Sequence, residues 1–241
     1  MEALVKRGDM MLTRPDFIEE GTQGHENISN KDVKPPSLRL AQSTSPETKR
    51  AMPAKYIEGL REGELFNSLT REIYGEDPID IIIVNPLGHR NVEFDKDSKV
   101  VEFDVPDDDP RCQFTTGKND EGKTVRIKPK ATKFLDYLIL VTLKDGRRKL
   151  MTLALKSTQL KKGIDLNSII RSNTLPCYAY SFKTTVSPES FGTKSWYGYT
   201  FVPGWPTPEA YAEAKRWYEE MADKNIIRDD IEEEAAEPVP F

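Results

Sequence analysis

Two apolar runs joined by a five-residue turn constrain this chain more than anything else in it. Phe134–Leu143 (FLDYLILVTL) and Lys149–Leu155 (KLMTLAL) read as strands, and Lys144-Asp145-Gly146-Arg147-Arg148 between them places Asp-Gly where a hairpin needs it. Next, Leu160–Ser172 sets Leu160, Ile164, Leu166, Ile169 and Ile170 mostly along one side, a short amphipathic helix that Gly163 weakens. Cys177–Val186 and Thr193–Val202 return to strand. Upstream, Ile79–Val84 (IDIIIV) is a compact β-branched run of the kind a buried strand uses. Val92–Asp95 and Val100–Asp104 alternate around Lys96-Asp97-Ser98-Lys99 as a hairpin, and a long polar loop runs from Asp107 to Lys123.

Strand, strand, helix, strand, strand, with strands ahead of it, predicts a mainly β chain with flanking helices. The specific expectation is an OB-like five-stranded barrel, which carries its helix after the third strand. A C-terminal helix should follow, because Thr207-Pro208-Glu209 supplies an N-cap and a proline at the first helical position. Its Tyr211, Ala214, Tyr218 and Met221 share a face that should dock on the barrel. Residues 1–35 are polar and aperiodic and read as a flexible arm. Residues 36–205 form the core, opening on a Pro-rich extended stretch to Pro53; 206–225 form the helix and 226–241 a disordered acidic tail.

Composition narrows the function classes. No run approaches the roughly 18 apolar residues of a membrane span, and no secretory signal pattern opens the chain. Cys112 and Cys177 are the only cysteines, too few for a disulfide framework or a zinc quartet, so a reducing cytoplasm fits. Net charge is −5, yet residues 118–183 hold 15 basic against 5 acidic side chains. From Glu219 onward there are nine acidic and two basic residues. A local basic stripe, rather than overall charge, is the footprint of a protein that binds a phosphate backbone.

Within that stripe, basic and aromatic residues interleave. Arg126, Lys128, Lys130 and Lys133 precede the first central strand, Arg147, Arg148 and Lys149 sit at its turn, and Lys156, Lys161 and Lys162 surround the helix start. Tyr178, Tyr180, Phe182, Trp196, Tyr197 and Tyr199 populate the last two strands. By alternation Tyr178, Tyr180 and Phe182 share one side, and Tyr197 and Tyr199 lie opposite Trp196. Cations that follow phosphates and rings that stack bases are the two components of single-strand binding. One face of these strands must instead fill the core, so only a subset can serve.

Gly117-Lys118-Asn119-Asp120-Glu121-Gly122-Lys123-Thr124 matches the P-loop pattern letter for letter. That motif works only where its Lys and Thr open a helix whose amides cradle phosphate. Here Val-Arg-Ile-Lys-Pro follows Thr124, which is extended sequence. His25 falls in the arm and His89 in a turn after Pro86-Leu87-Gly88; Asp107-Asp108-Asp109 reads as a solvated loop. No catalytic residue, metal or cofactor is expected.

The tail ends in Asp229, Asp230, Glu232, Glu233, Glu234 and a terminal Phe241. It is similar to the acidic, Phe-terminated tip of bacterial and bacteriophage single-stranded DNA-binding proteins. Leu155–Ile170 (LKSTQLKKGIDLNSII), Tyr180–Val186 (YSFKTTV), Ser195-Trp196-Tyr197 and Leu65–Gly75 (LFNSLTREIYG) resemble a bacteriophage family of single-stranded DNA-binding proteins. Members often carry further cysteines before the central strand; here Cys112 stands alone there, so no metal is implied. The resemblance implies a non-enzymatic protein that protects single-stranded DNA during phage replication or recombination, in the cytoplasm of the infected host. Through its acidic tip it would recruit a polymerase, helicase or nuclease. The oligomeric state stays open, a homo-oligomer included. The competing expectation is an interaction module or inhibitor whose acidic tail binds a basic site on a host protein.

Overall fold

The computed structural model describes residues 36–96, 99–118, 122–172 and 174–221. The arm and the acidic tail, with Asp229, Asp230, Glu232, Glu233, Glu234 and Phe241, lie outside the described residues. In chain order the strands are β1 (Leu38–Leu40), β2 (Leu65–Asn67), β3 (Ile73–Gly75), β4 (Ile79–Phe94), β5 (Val100–Glu102), β6 (Thr115–Lys118), β7 (Thr124–Ile127), β8 (Ala131–Thr142) and β9 (Arg148–Lys156). Helix α1 (Leu160–Arg171) comes next, then β10 (Ser181–Phe191), β11 (Lys194–Gly204) and helix α2 (Pro208–Met221).

The main sheet runs β11-β10-β4-β8-β9, with β5 paired to β4; β1-β2-β3 and β6-β7 are separate small sheets. All main-sheet pairings are antiparallel. β4, β8 and β9 meander, and the chain then returns through α1 to lay β10 beside β4, which is a Greek key. Among the described residues β9 and β11 do not pair, so the expected barrel does not close. The segment 36–42 spans the gap instead. On one side the Thr152 amide donates to the Pro36 carbonyl at 2.8 Å and the Ser37 and Thr152 hydroxyls meet at 2.7 Å. On the other, the Gln42 side chain donates to the Tyr197 carbonyl and accepts from its amide, both at 2.9 Å.

Alternation explains why the central strands read as unbroken apolar runs: both their faces are covered. Ile79, Ile81, Ile83, Tyr137, Ile139, Val141, Met151, Leu153 and Leu155 pack with Leu166 of α1 and with Leu38, Leu40 and Leu65 of the small sheet. Ile82, Val84, Leu138 and Leu140 face the other way, under Ala210 and Ala214 of α2. Each such side chain contributes about 1.5–3 kcal/mol on burial. Helix α2 begins where the sequence places it, the Thr207 hydroxyl accepting from the Ala210 amide at 3.3 Å.

Gly163, a weakness for helix propensity, turns out to be what seats α1. A Cβ there would lie 2.7 Å from Leu135 Cδ1 and 3.2 Å from the Tyr137 hydroxyl. The close approach lets Tyr137 donate to the Gly163 carbonyl at 2.9 Å. Burial holds that phenol protonated, well above its ordinary range. Gly163→Ala should therefore destabilise by about 1–2 kcal/mol through overpacking, although alanine is the better helix former. A urea midpoint at or above wild type would show that α1 is seated by other contacts.

Four expectations need correction. β4 does not end at Val84: it runs on through Pro86 and His89, because bulges at Ile83/Asn85 and Pro86/Gly88 absorb the proline, which has no amide to donate. The polar loop after Asp107 contains the β6–β7 hairpin. Three-residue strands and a short turn at Pro46–Thr48 build the stretch before Ile79. Finally, Cys177–Ala179 is a 3-10 turn behind Pro176, so strand begins only at Ser181.

Candidate nucleic-acid interface

The connection from β4 to β8 carries a hairpin with unlike faces. Pairing of Thr116 with Arg126 and of Lys118 with Thr124 sets Phe114, Thr116, Lys118, Arg126 and Lys128 on one side. Val125 and Ile127 take the other, and both are exposed. The Arg126 guanidinium lies 3.6 Å from the centroid of the Phe114 ring, which is 52% exposed. A cation over an exposed ring offers positive charge and π surface in one place.

The tip of the β10–β11 hairpin supplies a second group of the same kind. Phe191 pairs with Lys194 across Gly192-Thr193 and is 81% exposed. The two groups lie within range of each other's charge. Lys128 is held below the ordinary lysine range, first by partial burial and then by the charge of Lys194.

The other sequence-nominated cations divide by partner. Lys130 and Lys133 are exposed, Lys133 at 3.8 Å from Asp107. Arg147 pairs with Asp145 and Glu72, Lys149 with Glu72, and Arg148 with Glu213. Those three reach acidic partners at the β8–β9 turn, on the small sheet and on α2. Lys156 lies over the Phe134 ring at 5.2 Å, Lys161 is exposed, and Lys162 is 3.1 Å from Glu189.

The nominated aromatics are mostly core. Tyr180, Phe182 and Tyr199 are buried under the α1 side of the sheet. Tyr178 points to the opposite side, because the 3-10 turn breaks the alternation, and packs between Tyr211 and Tyr218 of α2 at 5.6 and 5.2 Å. None of these four presents a free face for a base. Trp196 and Tyr197 are half-buried and line a cavity. Phe114, Phe191 and Lys194 escaped the sequence reading; the available signal was an aromatic at each hairpin end with no apolar partner at strand spacing.

The remaining chemical groups are engaged elsewhere. Thr124 opens β7, so the P-loop-like stretch leads into a strand and has no helix N-terminus for phosphate. His89 lies in β4, not in a turn, with Nε2 2.6 Å from Asp107, which also accepts from Asn91 at 2.8 Å. Hydrogen bonds from Arg111 hold Asp109 down to about 2. Arg111 also reaches Glu93 at 2.5 Å and Glu102 at 2.6 Å, which ties the root of the β4–β8 connection to the sheet. Burial pushes the Cys177 thiol up, and its Sγ donates to the Val84 carbonyl. Among the described residues no cluster of His, Cys, Asp or Glu is arranged to hold a metal ion, and no helix is long and apolar enough to cross a membrane.

Among the described residues the architecture is thus an open Greek-key sheet with two helices and exposed cations and rings on two hairpins, and comparison with known families makes the chain a bacteriophage protein. It belongs to the family described as Pam3 phage gp34-like protein, whose model matches residues 6–226. No curated protein and no solved structure matches the chain. As a phage product it is made inside the infected host cell.

Proposed function

We propose that this protein binds single-stranded DNA with broad sequence tolerance during phage replication or recombination. The observation that carries the reading is an exposed cation beside an exposed ring on each of two hairpins, Arg126 with Phe114 and Lys194 with Phe191, with Lys128 within range of the Lys194 charge. Its place in the topology supports the same reading. Counting β4, β8, β9, β10 and β11 as five strands, the helix follows the third and the fourth returns beside the first. That order resembles an OB-fold opened along one seam, and OB-folds bind oligonucleotides with the loops between strands one and two and between four and five. Those are the two connections that carry this cluster. The acidic C-terminal tip would recruit replication proteins by charge and by its terminal ring.

The test is an anisotropy titration with a labelled single strand, its duplex and a salt series. The single strand should bind better than the duplex. Its log affinity should fall against log salt with a slope of about −0.7 per phosphate engaged, so roughly −2 to −3 for three or four cations. Indifference to both nucleic acids at low salt would transfer the function to the interaction-module reading.

A further inference from the structure

Among the described residues the β6–β7 hairpin pairs with no other strand and buries neither face. Its angle to the main sheet is therefore set at its two roots. One root is short: Lys128, Pro129 and Lys130 lead straight into β8, whose first residue, Ala131, is buried. The other, residues 105–113, is laid along β4 by alternate side chains of that strand. His89 meets Asp107 at 2.6 Å, and Asn91 donates to the Val105 carbonyl at 3.1 Å and to Asp107 at 2.8 Å. Glu93 accepts from Arg111 at 2.5 Å. Residues 89, 91 and 93 share one side of the strand by its period of two.

Arg111 is the last of these fastenings and the most heavily engaged. Its Nε and Nη2 donate to the two oxygens of Asp109 at 3.0 and 2.7 Å, and its Nη1 donates to Glu93 and to Glu102 of β5. Four of the five guanidinium N–H groups are thus taken. One cation among three carboxylates leaves the group net negative, so it does not draw a phosphate. What it holds is the chain. Asp109 rides on the root, Glu93 and Glu102 belong to the sheet, and the guanidinium joins them. Only Cys112 and Gln113 separate Arg111 from Phe114, a span of at most about 11 Å. The Cys112 and Gln113 amides are themselves turned back onto the Asp109 and Pro110 carbonyls. Phe114 in turn carries the Arg126 guanidinium over its ring.

We propose that Arg111 is a positioning residue of the nucleic-acid interface: without touching the strand, it fixes the angle at which the hairpin presents Phe114 and Arg126. Without the guanidinium, Asp109 on the root would repel Glu93 and Glu102 on the sheet, and the hairpin would swing on its remaining root. The assignment rests on the single-strand reading above and gives that site its frame.

The experiment titrates the full chain and its variants with a labelled single-stranded oligonucleotide at one low salt concentration. Glu102→Ala separates position from charge. Glu102 is exposed, so its loss spares the fold, and it makes the chain less acidic. Charge alone then calls for tighter binding, whereas a loosened clamp calls for binding about threefold weaker. Arg111→Met should weaken binding about tenfold, and adding Arg126→Ala should cost much less than the product of the two single losses, because both act through one group. Amide exchange should quicken in β6 and β7 and stay as in wild type in β8 and β9, which distinguishes a loosened hairpin from a destabilised fold. Tighter binding by Glu102→Ala, or losses that multiply in the double variant, overturns the positioning role and leaves the single-strand reading standing. A wild type indifferent to the single strand at low salt overturns both.

Discussion

A chain carrying Arg126→Glu and Lys194→Glu should bind a single-stranded oligonucleotide about a hundredfold more weakly at low salt, with thermal stability unchanged. Both side chains are exposed, so neither reversal strands a buried group. Each one removes a cation from the proposed phosphate path and adds a repulsion, and like charges set against each other at an interface cost several kcal/mol. The salt slope should shrink by about 0.7 for each phosphate no longer engaged. Arg147→Glu with Arg148→Glu is the matched control, since it makes the same change in net charge. There the charges already face Asp145, Glu72 and Glu213, so reversal should lower stability modestly and leave affinity within about threefold. Solvent screens pairs of that kind, and each contributes little to stability. Equal losses of affinity in the two double variants would mean that net charge alone attracts the strand, and the convergence of the two hairpins would then explain nothing.

The contrast between those two basic groups also shows what a linear reading can and cannot reach. Lys128 and Arg147 look alike in sequence; the fold carries Glu72 to Arg147 at the β8–β9 turn and brings Lys128 within range of the Lys194 charge. The adjacency of Lys128 and Lys194 likewise depends on how the sheet curls, and no local pattern encodes it. The β8–β9 hairpin and both helices are legible because apolar period, turn residues and caps agree there. β4 is half legible: Pro86 and Gly88 punctuate a turn in most contexts, but a long neighbour, β8, keeps pairing past them and turns the punctuation into bulges. The β6–β7 hairpin leaves no apolar signature because neither of its faces is buried. Tyr178 departs from its expected side for a local reason, the turn that Pro176 imposes before β10. The failures fall where tertiary pairing overrides a local signal or where no core face exists to write one.

Asp136→Ala should destabilise the protein by about 3–5 kcal/mol, the cost of breaking a buried ion pair. Asp136 on β8 and Arg90 on β4 are both about 5% exposed. Arg90 Nε lies 2.6 Å from one carboxylate oxygen, and its Nη2 donates to the other at 3.1 Å. The guanidinium also lies 4.9 Å from the centroid of the Phe134 ring, which attracts a cation without neutralising it. Alanine would leave the guanidinium in the core without its carboxylate. Arg90→Met combined with Asp136→Leu should recover most of that loss, since apolar side chains of similar size remove the desolvation cost of both charges. Urea midpoints of the single and double variants separate two accounts of the junction. Recovery in the double variant means that a stranded charge, and not the strength of the pair, is what destabilises Asp136→Ala. A double variant as unstable as the single one would mean that the attraction itself holds β4 to β8 below the point where the cationic hairpin departs.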